Sequence, residues 1–346
     1  MFFVLWLIVR TAELSAVNFF KCLQLPFEYA IITIRYFHKG VFFMKRQDLR
    51  MRDPFILPYN GRYYMPASRN ATTVILYVSD DLNNWDVVGD IYTIDKDGWA
   101  TQDVWAPELY AYNGKFYLFV SHMGKHGLRG TQVAVCDKVN GTYLPVVNKP
   151  ITPMDKSCID ATLIITGGKP YIFYSRDWPN NYNKERDCFI GQIWGAEVTE
   201  DLTEIVGEPF LVFNADSSDL TKDCPNRLHY FHADTFDVRY GSDGPFVKEM
   251  TDGKLCLIWS PILDWNYVVL SAVSDSGNPR GPWRHINVPV FDNNGGHGML
   301  FTDFDGSIKL ALHNNQYNQV VPIGLERTTI FEMAETNDGY VIKKEI

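Results

Sequence analysis

One pattern occurs five times along this chain: a polar ionisable residue, an apolar run, a glycine-containing turn and a second apolar run. The copies are RDPFILPYNGRYYMPAS (52–68), DVWAPELYAYNGKFYLFVS (103–121), CIDATLIITGGKPYIFYS (158–175), GSDGPFVKEMTDGKLCLIWS (241–260) and GGHGMLFTDFDGSIKLALH (295–313). The polar residues that lead the copies, called head residues here, are Asp53, Asp103, Asp160, Asp243 and His297. Their spacings are 50, 57, 83 and 54 residues, and three of the four are close to the length of a β-propeller blade. An insertion accounts for the long spacing.

A second pair of apolar runs follows each copy, divided by an acidic or Asn/Gly turn. These second pairs cover 74–90, 131–146, 192–208, 268–286 and 328–344. Alternating apolar and polar residues with frequent turn signals are typical of β-strands, and two hairpins per copy give four strands. No long amphipathic helical pattern occurs after residue 44. The sequence therefore predicts an all-β fold, a five-bladed β-propeller with four-stranded antiparallel blades.

The first 43 residues match no copy of the pattern. They begin with MFFVLWLIV, whose apolar residues 2–9 are too few to span a bilayer and, unlike most signal peptides, follow no Lys or Arg. The segment that begins at Met44 reads as a natural start leading into the first copy. We therefore expect 1–43 to be an N-terminal extension and 44–346 to form the propeller domain. A periplasmic or secreted location follows if residues 1–16 act as a signal peptide, and a cytoplasmic one if the protein starts at Met44.

Charge and composition exclude some classes of partner. The net charge of −9 and the pI near 5.4, with no long Lys/Arg run, disfavour nucleic acid. Aromatic residues make up 14% of the chain, which suits sugar stacking and a β-rich core equally well. The six cysteines form no CxxC pair, so buried free thiols are expected rather than a zinc site. We predict no transmembrane span and no organic cofactor, and the oligomeric state stays open.

Three of the head residues are expected to meet in space. The first strand of every propeller blade lines the central channel, so Asp53, Asp160 and Asp243 would lie at one channel mouth although they are far apart in sequence. Hydrolysis of a glycosidic bond needs two carboxyl groups with separate duties, and a third nearby carboxylate can keep the acid protonated. A single Asp at such a place more often only turns or caps its strand, but three at matching places favour chemistry.

Five short motifs resemble those of glycoside hydrolase family 43. They are RDPF, WAPEL, IDATL, the GPF that follows Asp243, and GGHG, in order and at blade spacing over 44–346. The resemblance implies a five-bladed propeller that acts on an oligosaccharide, cleaving arabinofuranosides or xylosides of plant polysaccharides with inversion. It also implies that Asp53 is the general base and that Asp160 orients the general acid and tunes its pKa.

The fourth motif departs from the family pattern. The family usually has a Glu as general acid just before Gly-Pro, and this place is held by Asp243, whose side chain is one methylene shorter. Asp243 is the candidate acid, and Glu249 or an acidic residue of 209–240 is a less favoured replacement. A non-catalytic or weakly active sugar-binding propeller is the alternative function. A fructan-cleaving propeller ranks last, because those enzymes usually append a β-sandwich and this chain ends with its fifth copy.

His297 in GGHG matches the family's axial His, which commonly holds an ion or its waters near the channel centre. Calcium, which takes oxygen ligands and water, suits this place better than a transition metal, because a lone His is not a ligand cluster. A hydrogen-bonded core His is the alternative reading.

Five further residues are candidate substrate contacts. Trp105 and Glu108 would supply a stacking wall and a hydroxyl contact, with core packing an equal alternative for Trp105. Arg52 either orients the neighbouring carboxylate or faces solvent. Trp178 and His232 lie in the long insertions between the third and fourth copies. The bulk of the second insertion favours a closed pocket and exo cleavage.

Overall fold

The computed structural model describes residues 44–177, 181–223, 226–228, 237–263, 266–314 and 326–346. The predictions made for 1–43, Trp178 and His232 lie outside these described residues. The described part consists of β-strands, loops and one 3-10 turn at Arg46–Asp48, so the all-β prediction is confirmed. None of its helices is long and apolar enough to cross a membrane.

The strands alternate with short turns along the described chain. Up to the third copy of the pattern they are β1 (Met44–Lys45), β2 (Leu57–Tyr59), β3 (Arg62–Asn70), β4 (Thr73–Ser79), β5 (Asn84–Thr93), β6 (Ala100–Tyr112), β7 (Lys115–Gly124), β8 (Arg129–Cys136), β9 (Leu144–Pro145), β10 (Cys158–Thr166), β11 (Lys169–Arg176), β12 (Tyr182–Asn183), β13 (Cys188–Ile190), β14 (Gln192–Val198) and β15 (Ile205–Asn214). They continue as β16 (Asn226–Leu228), β17 (Asp237–Tyr240), β18 (Asp243–Glu249), β19 (Leu255–Ser260), β20 (Ile262–Leu263), β21 (Asn266–Tyr267), β22 (Val269–Ser274), β23 (Arg284–Phe291), β24 (Gly295–Thr302), β25 (Ile308–Asn314), β26 (Arg327–Thr336) and β27 (Gly339–Glu345).

Five antiparallel sheets follow one another along the chain, one for each copy of the pattern. The first sheet is β2–β5 with β1 added beside β5, the second is β6–β9, and the third is β10, β11, β14 and β15. The fourth is β18, β19, β22 and β23, and the fifth is β24–β27. The insertion after the third copy contributes to a small sheet of β12, β13, β17 and β16, in which β13 and β17 pair in parallel. This insertion explains the spacing of 83 residues.

The first hairpins of two sheets close with the residues that tight turns require. Asn60 and Gly61 join β2 to β3, and Asn113 and Gly114 join β6 to β7. Both residues of each pair have positive φ, at 48° and 76° in the first turn and 47° and 74° in the second. This is the type I′ geometry, which matches the twist of the strands and prefers Asn-Gly. The glycine-containing turns of the sequence pattern are therefore hairpin turns.

Neighbouring sheets pack against each other without an intervening helical layer. β3 contacts β6, β10 contacts β7 and β18, and β24 contacts β18 and β2. The second strand of each sheet contributes a fully buried residue at its centre, namely Met65, Leu118, Ile172, Leu257 and Leu310. The core is thus formed by sheet faces, as the apolar runs predict.

Glu108, in β6, is buried and accepts a hydrogen bond from the Tyr110 hydroxyl. The same hydroxyl lies 2.9 Å from Thr162 Oγ1 and accepts a 3.0 Å bond from the Leu163 N–H on β10. Burial raises the pKa of Glu108 to about 8, against the opposing hydrogen bonds. Glu108 therefore belongs to a polar contact between the second and third sheets. This position argues against the predicted hydroxyl contact with a sugar.

We expect Glu108→Gln to stabilise the protein at alkaline pH and to change it little at about pH 5. The folded-state pKa of Glu108 is raised, so the wild type loses unfolding free energy as the pH rises from about 4.3, the unfolded value, to about 8. Each unit between the two pKa values is worth about 1.4 kcal/mol, and Gln keeps the acceptor without the charge. Thermal melts of both proteins at about pH 5 and about pH 9 test this prediction. An equal difference in melting temperature at both pH values would contradict it.

Candidate active site

Four head residues have an unusual backbone conformation. Asp53, Asp103, Asp160 and His297 have φ angles of 49°, 62°, 57° and 47°, a region that residues other than glycine rarely adopt. At the last three, the pairing between the first two strands of the sheet is interrupted by a register shift. Such β-bulges turn a side chain out of the regular strand alternation. The backbone, rather than strand alternation, therefore directs these side chains.

In the fourth sheet the residue in this conformation is Gly244 and not the head residue Asp243. The register shift lies between Asp243 and Phe246, and the φ of 49° belongs to Gly244. The sequence alignment of the fourth copy is therefore wrong by one residue. A Cβ at position 244 would lie 2.7 Å from His297 Cδ2 and 3.0 Å from its Cα. Only glycine fits there, so the acidic side chain stands one residue earlier.

Hydrogen bonds between sheets hold these backbone positions. Ser121 Oγ, near the end of β7, accepts a 2.8 Å bond from the Asp160 N–H of the next sheet. Ser260 Oγ, at the end of β19, accepts a 2.8 Å bond from the His297 N–H of the next sheet. Both serines are buried. We call residues that hold the next sheet in this way junction residues.

The same place in the third and fifth sheets also carries a junction residue. Ser175 Oγ, on β11, donates a 2.6 Å bond to the Ser242 carbonyl, one residue before Asp243. His313 Nδ1, on β25, accepts a 3.0 Å bond from the N–H of Asp53, which lies on the segment that leads into the first sheet. Junction residues therefore fix the backbone at or beside each of the three aspartates predicted to do chemistry.

Asp53 lies between two imidazoles and a guanidinium. The Nδ1 atoms of His297 and His313 are each 3.2 Å from Asp53 Oδ1. Burial raises the pKa of Asp53, but the charges and hydrogen bonds of His297, His313 and Arg52 outweigh it and hold the pKa well below its usual value. Burial also lowers the pKa of His297 to about 4, so this imidazole is neutral at neutral pH. There, the positive charge of Arg52 favours the ionised form of Asp53, as a general base requires.

Asp160 and Asp243 form a second group of carboxyls, whose pKa values are raised where that of Asp53 is lowered. The Gly244 N–H donates a 3.4 Å bond to Asp160 Oδ2, which brings Asp160 beside the fourth sheet. Burial, followed by the charges of Asp243 and Asp53, raises the pKa of Asp160 well above its usual value. Burial, followed by the charges of Asp177 and Asp53, raises the pKa of Asp243 to about 7. Carboxyls that repel each other titrate as a pair, and this pair keeps at least one proton at neutral pH.

Tyr267 and Arg52 lower the pKa of Asp243 and so oppose the effect of burial and of the neighbouring carboxylates. The Tyr267 hydroxyl donates to Asp243 Oδ2 at 3.5 Å, and its ring stacks on His313 with a centroid distance of 5.5 Å. Burial raises the pKa of Tyr267 well above its usual value, so this hydroxyl keeps its proton. Arg52 Nε lies 3.7 Å from Glu326 Oε1, and the Arg52 charge favours an ionised Asp243. Arg52 is thus a charged neighbour of both candidate catalytic carboxyls.

Trp105 lies at an exposed edge of the second sheet. Its side chain is 40% exposed, and the Arg129 guanidinium covers one face at 4.1 Å from the ring centre. Arg129 Nη2 lies 2.9 Å from Asp103 Oδ2, and Arg129 Nη1 lies 3.4 Å from Asp177 Oδ2. An exposed indole held by a cation is able to stack on a sugar ring. The exposure of Trp105 argues against the core-packing alternative.

A family comparison covers the whole of this arrangement. The model of "Glycosyl hydrolases family 43" matches residues 48–341, which include all five sheets except the ends of the first and fifth. The chain belongs to this family. The match contains each carboxyl of the site and every junction residue.

Curated relatives in family 43 share parts of this chain. "Xylosidase/arabinosidase 43A" of Humicola insolens is 24% identical over 168 residues, or 42% of this chain and 50% of the relative. "Alpha-L-arabinofuranosidase 43" of the same organism is 24% identical over 240 residues, or 64% of this chain and 45% of the relative. The chain therefore spans about half the length of the curated relatives it matches.

Solved structures are similar over more of the chain. The endo-arabinase of Bacteroides thetaiotaomicron VPI-5482 is 31% identical with a TM-score of 0.76, and the match covers 87% of this chain and 100% of that chain. A thermostable family-43 glycoside hydrolase is 25% identical with a TM-score of 0.74, and the match covers 85% and 93%. The endo-1,4-beta-xylanase of Bacteroides thetaiotaomicron VPI-5482 is 25% identical with a TM-score of 0.67, covering 85% and 94%.

Several residues of this family-43 site were not singled out from the sequence. They are Tyr267, Asp177, Arg129 and the junction residues Ser121, Ser175, Ser260 and His313. The junction residues had a signal, because the repeated stretches each end on Ser or His. Tyr267, Asp177 and Arg129 had none, since they lie outside the repeated positions and reach the site only through the packing of different sheets.

The described residues do not fit a calcium ion held by direct protein ligands. Among them, no group of three or more His, Cys, Asp or Glu residues is arranged to hold a metal ion. His297 directs Nδ1 toward Asp53, which leaves only Nε2 for an ion or its waters. Calcium takes roughly six to eight oxygen ligands, and the single free nitrogen of His297 supplies none of them.

Ser121→Ala is expected to lower the free energy of unfolding by about 1–3 kcal/mol, because it leaves the buried Asp160 N–H without its acceptor. Ser68→Ala is the matched control, since Ser68 ends the first repeated stretch but is exposed. It should change the unfolding free energy by less than about 0.5 kcal/mol. Urea unfolding of both variants measures the difference. Coincident transitions would show that the junction bond does not stabilise the fold.

Proposed function

We propose that this chain is a glycoside hydrolase that cleaves α-L-arabinofuranosyl or β-D-xylosyl linkages of plant polysaccharide fragments with inversion. The observation that carries the proposal is the geometry of three carboxyls: Asp53 lies 3.2 Å from two imidazoles, and Asp160 bonds to the Gly244 N–H next to Asp243. In this arrangement the pKa of Asp53 is lowered and the pKa values of Asp160 and Asp243 are raised. A general base must be ionised and a general acid protonated at the same pH. The family and the names of the curated relatives support the substrate class.

In the proposed reaction, Asp53 accepts a proton from the water that attacks the anomeric carbon, and Asp243 donates its proton to the leaving oxygen. Inverting enzymes leave roughly 6.5–9.5 Å between these two carboxyls, which is room for the water. Burial and the charge of Asp243 raise the pKa of Asp160, and the Gly244 N–H holds Asp160 beside the acid. The Tyr267 hydroxyl bond orients the shorter side chain of Asp243.

We also propose that the five sheets are the blades of a closed five-bladed propeller. Bonds at the junctions link the second sheet to the third, the third to the fourth and the fourth to the fifth. Val104 N–H donates to the Ala71 carbonyl at 3.2 Å between the first and second sheets. His313 and Asp53 link the fifth sheet to the first. A crystal structure in which these last two sheets are apart would overturn the proposal.

Two further predictions concern the mode of cleavage and a bound calcium ion. Exo cleavage was predicted from the segment 209–240, which lies partly outside the described residues. Chromatography of the first products from linear arabinan distinguishes the modes, since exo action releases monosaccharide first. A hydrated calcium ion beside His297 Nε2 also stays a prediction, which metal analysis of the purified protein tests. The sugar-binding alternative has no support beyond the Asp-for-Glu difference at position 243.

Asp243→Asn is expected to lower kcat on an arabino- or xylo-oligosaccharide by about 10²–10⁴-fold. The loss should be much smaller on an aryl glycoside, because its leaving group needs little protonation. Asp53→Asn should impair both substrates alike, since the base acts on water. Asp243→Glu, which keeps a carboxyl, is the matched control. Proton NMR of the first-formed sugar reports whether the anomer is inverted.

These measurements distinguish the alternatives. If Asp243→Asn cleaves the oligosaccharide as fast as the wild type, Asp243 is not the acid. If the wild type binds arabinose- and xylose-containing oligosaccharides in calorimetry but cleaves none of them, the sugar-binding alternative is correct.

The pH dependence of kcat/KM on an oligosaccharide should have its alkaline limb near pH 7, because Asp243 must be protonated and its pKa is raised to about 7. The acid limb should lie below the ordinary range of an aspartate, because the pKa of Asp53 is lowered. The apparent alkaline pKa belongs to the Asp160–Asp243 pair. The same profile on an aryl glycoside is the control and should fall less on the alkaline side. A flat oligosaccharide profile up to about pH 9 would contradict this assignment.

A further inference from the structure

Asp177 is a buried carboxylate of the site to which the proposed reaction gives no duty. It follows β11 directly and is 5% exposed. Its N–H donates a 2.9 Å bond to the Ser157 carbonyl, and its Oδ2 lies 3.4 Å from Ser157 Oγ. These contacts fix the side chain within the third sheet, next to the start of the strand that carries Asp160.

We propose that Asp177 is a fourth carboxylate of the active site, a positioning residue whose negative charge favours the protonated form of Asp243. The proposal rests on the proposed glycosidase function only through the role of Asp243 as the acid. It assigns part of the tuning of that acid to Asp177, in addition to Asp160.

The chain path places Asp177 beside the acid. Ser175, two residues earlier, donates to the Ser242 carbonyl at 2.6 Å, and the two hydroxyl oxygens lie 2.8 Å apart. The end of β11 is therefore hydrogen-bonded to Ser242, the residue that precedes Asp243. Among the charged neighbours of Asp243, Asp177 has the largest effect.

Arg129 is the cation paired with Asp177. Arg129 lies on the second sheet and Asp243 on the fourth. Arg129 is also shared, with 2.9 Å to Asp103 Oδ2 and only 3.4 Å to Asp177 Oδ2. Asp177 is among the main charges that act on Asp243, whereas Arg129 is not.

The other groups that act on Asp243 come from three places in the fold. Asp53 and Arg52 lie on the segment before β2, Asp160 on β10 and Tyr267 on β21. Asp53 favours the protonated acid, and Asp243 in turn favours the protonated form of Asp160, whereas Arg52 and the Tyr267 hydroxyl favour the ionised Asp243. The charge of Asp177 therefore opposes the effect of the Arg52 charge on the pKa of Asp243. Arg52 is the residue next to the base, Asp53.

The test is a carboxyl titration that does not depend on activity. In protein labelled with ¹³C at the aspartate carboxyls, the Asp243 resonance is assigned by its loss in Asp243→Asn. Asp177→Asn should then lower the midpoint of the Asp243 titration by about one pH unit. The alkaline limb of kcat/KM on an oligosaccharide should shift by the same amount.

Asp103→Asn is the matched control, because it removes the other carboxylate paired with Arg129 but lies on the second sheet. Its shift should be clearly smaller than that of Asp177→Asn. An unshifted midpoint in Asp177→Asn, or one equal to that of the control, would overturn the proposal. If Asp177→Asn does not fold, Asp177→Ser gives the same measurement with a smaller neutral side chain. If the wild type cleaves no arabinoside or xyloside, the proposed function fails, while the titration still decides the role of Asp177.

Discussion

The bond between a junction residue and the backbone of the next sheet is the interaction on which the rest of the site depends. A left-handed backbone at an aspartate or histidine is unfavourable by itself, and it persists here because a neighbouring sheet accepts its N–H. Ser121 does this for Asp160, Ser260 for His297 and His313 for Asp53. The sheets are thus not only packed side by side. The second, fourth and fifth sheets each hold the head residue that the next one presents to the site.

The neighbouring charges then give the carboxyls of the site different pKa values, although burial favours the protonated form of all of them. Asp53 is surrounded by two imidazoles and the Arg52 guanidinium, and it stays ionised. The charges around Asp160 and Asp243 are mostly carboxylates, and burial is the largest cause of their raised pKa values, so the pair retains a proton. The same residue type therefore supplies a base and an acid, and the difference arises from which side chains the neighbouring sheets contribute.

The sequence allowed the repeated part of this architecture to be predicted, but not what lies between the repeats. Five copies of one pattern predicted five antiparallel sheets and the approach of Asp53, Asp160 and Asp243. Glu108 was predicted to contact a sugar hydroxyl, because the sequence does not show that its neighbour Tyr110 also bonds to Thr162 and Leu163 of β10 when the two sheets pack. Tyr267 and Asp177 follow no period, so only the folded chain shows that they adjoin the acid. The one-residue error at Asp243 arose because a pattern of residue types does not reveal which residue adopts a positive φ.

Gly244 also limits how this site can change during evolution. Any side chain at that position would meet His297, so the acid cannot move onto the bulge that its counterparts in other sheets occupy. It has to stay at the preceding residue, on a backbone fixed by Ser242 on one side and by the bulge on the other. The distance by which the acid carboxyl extends into the site can then be changed simply by exchanging aspartate and glutamate at position 243. A lineage that shortens this side chain must alter the opposite wall of the site, or the substrate that it admits.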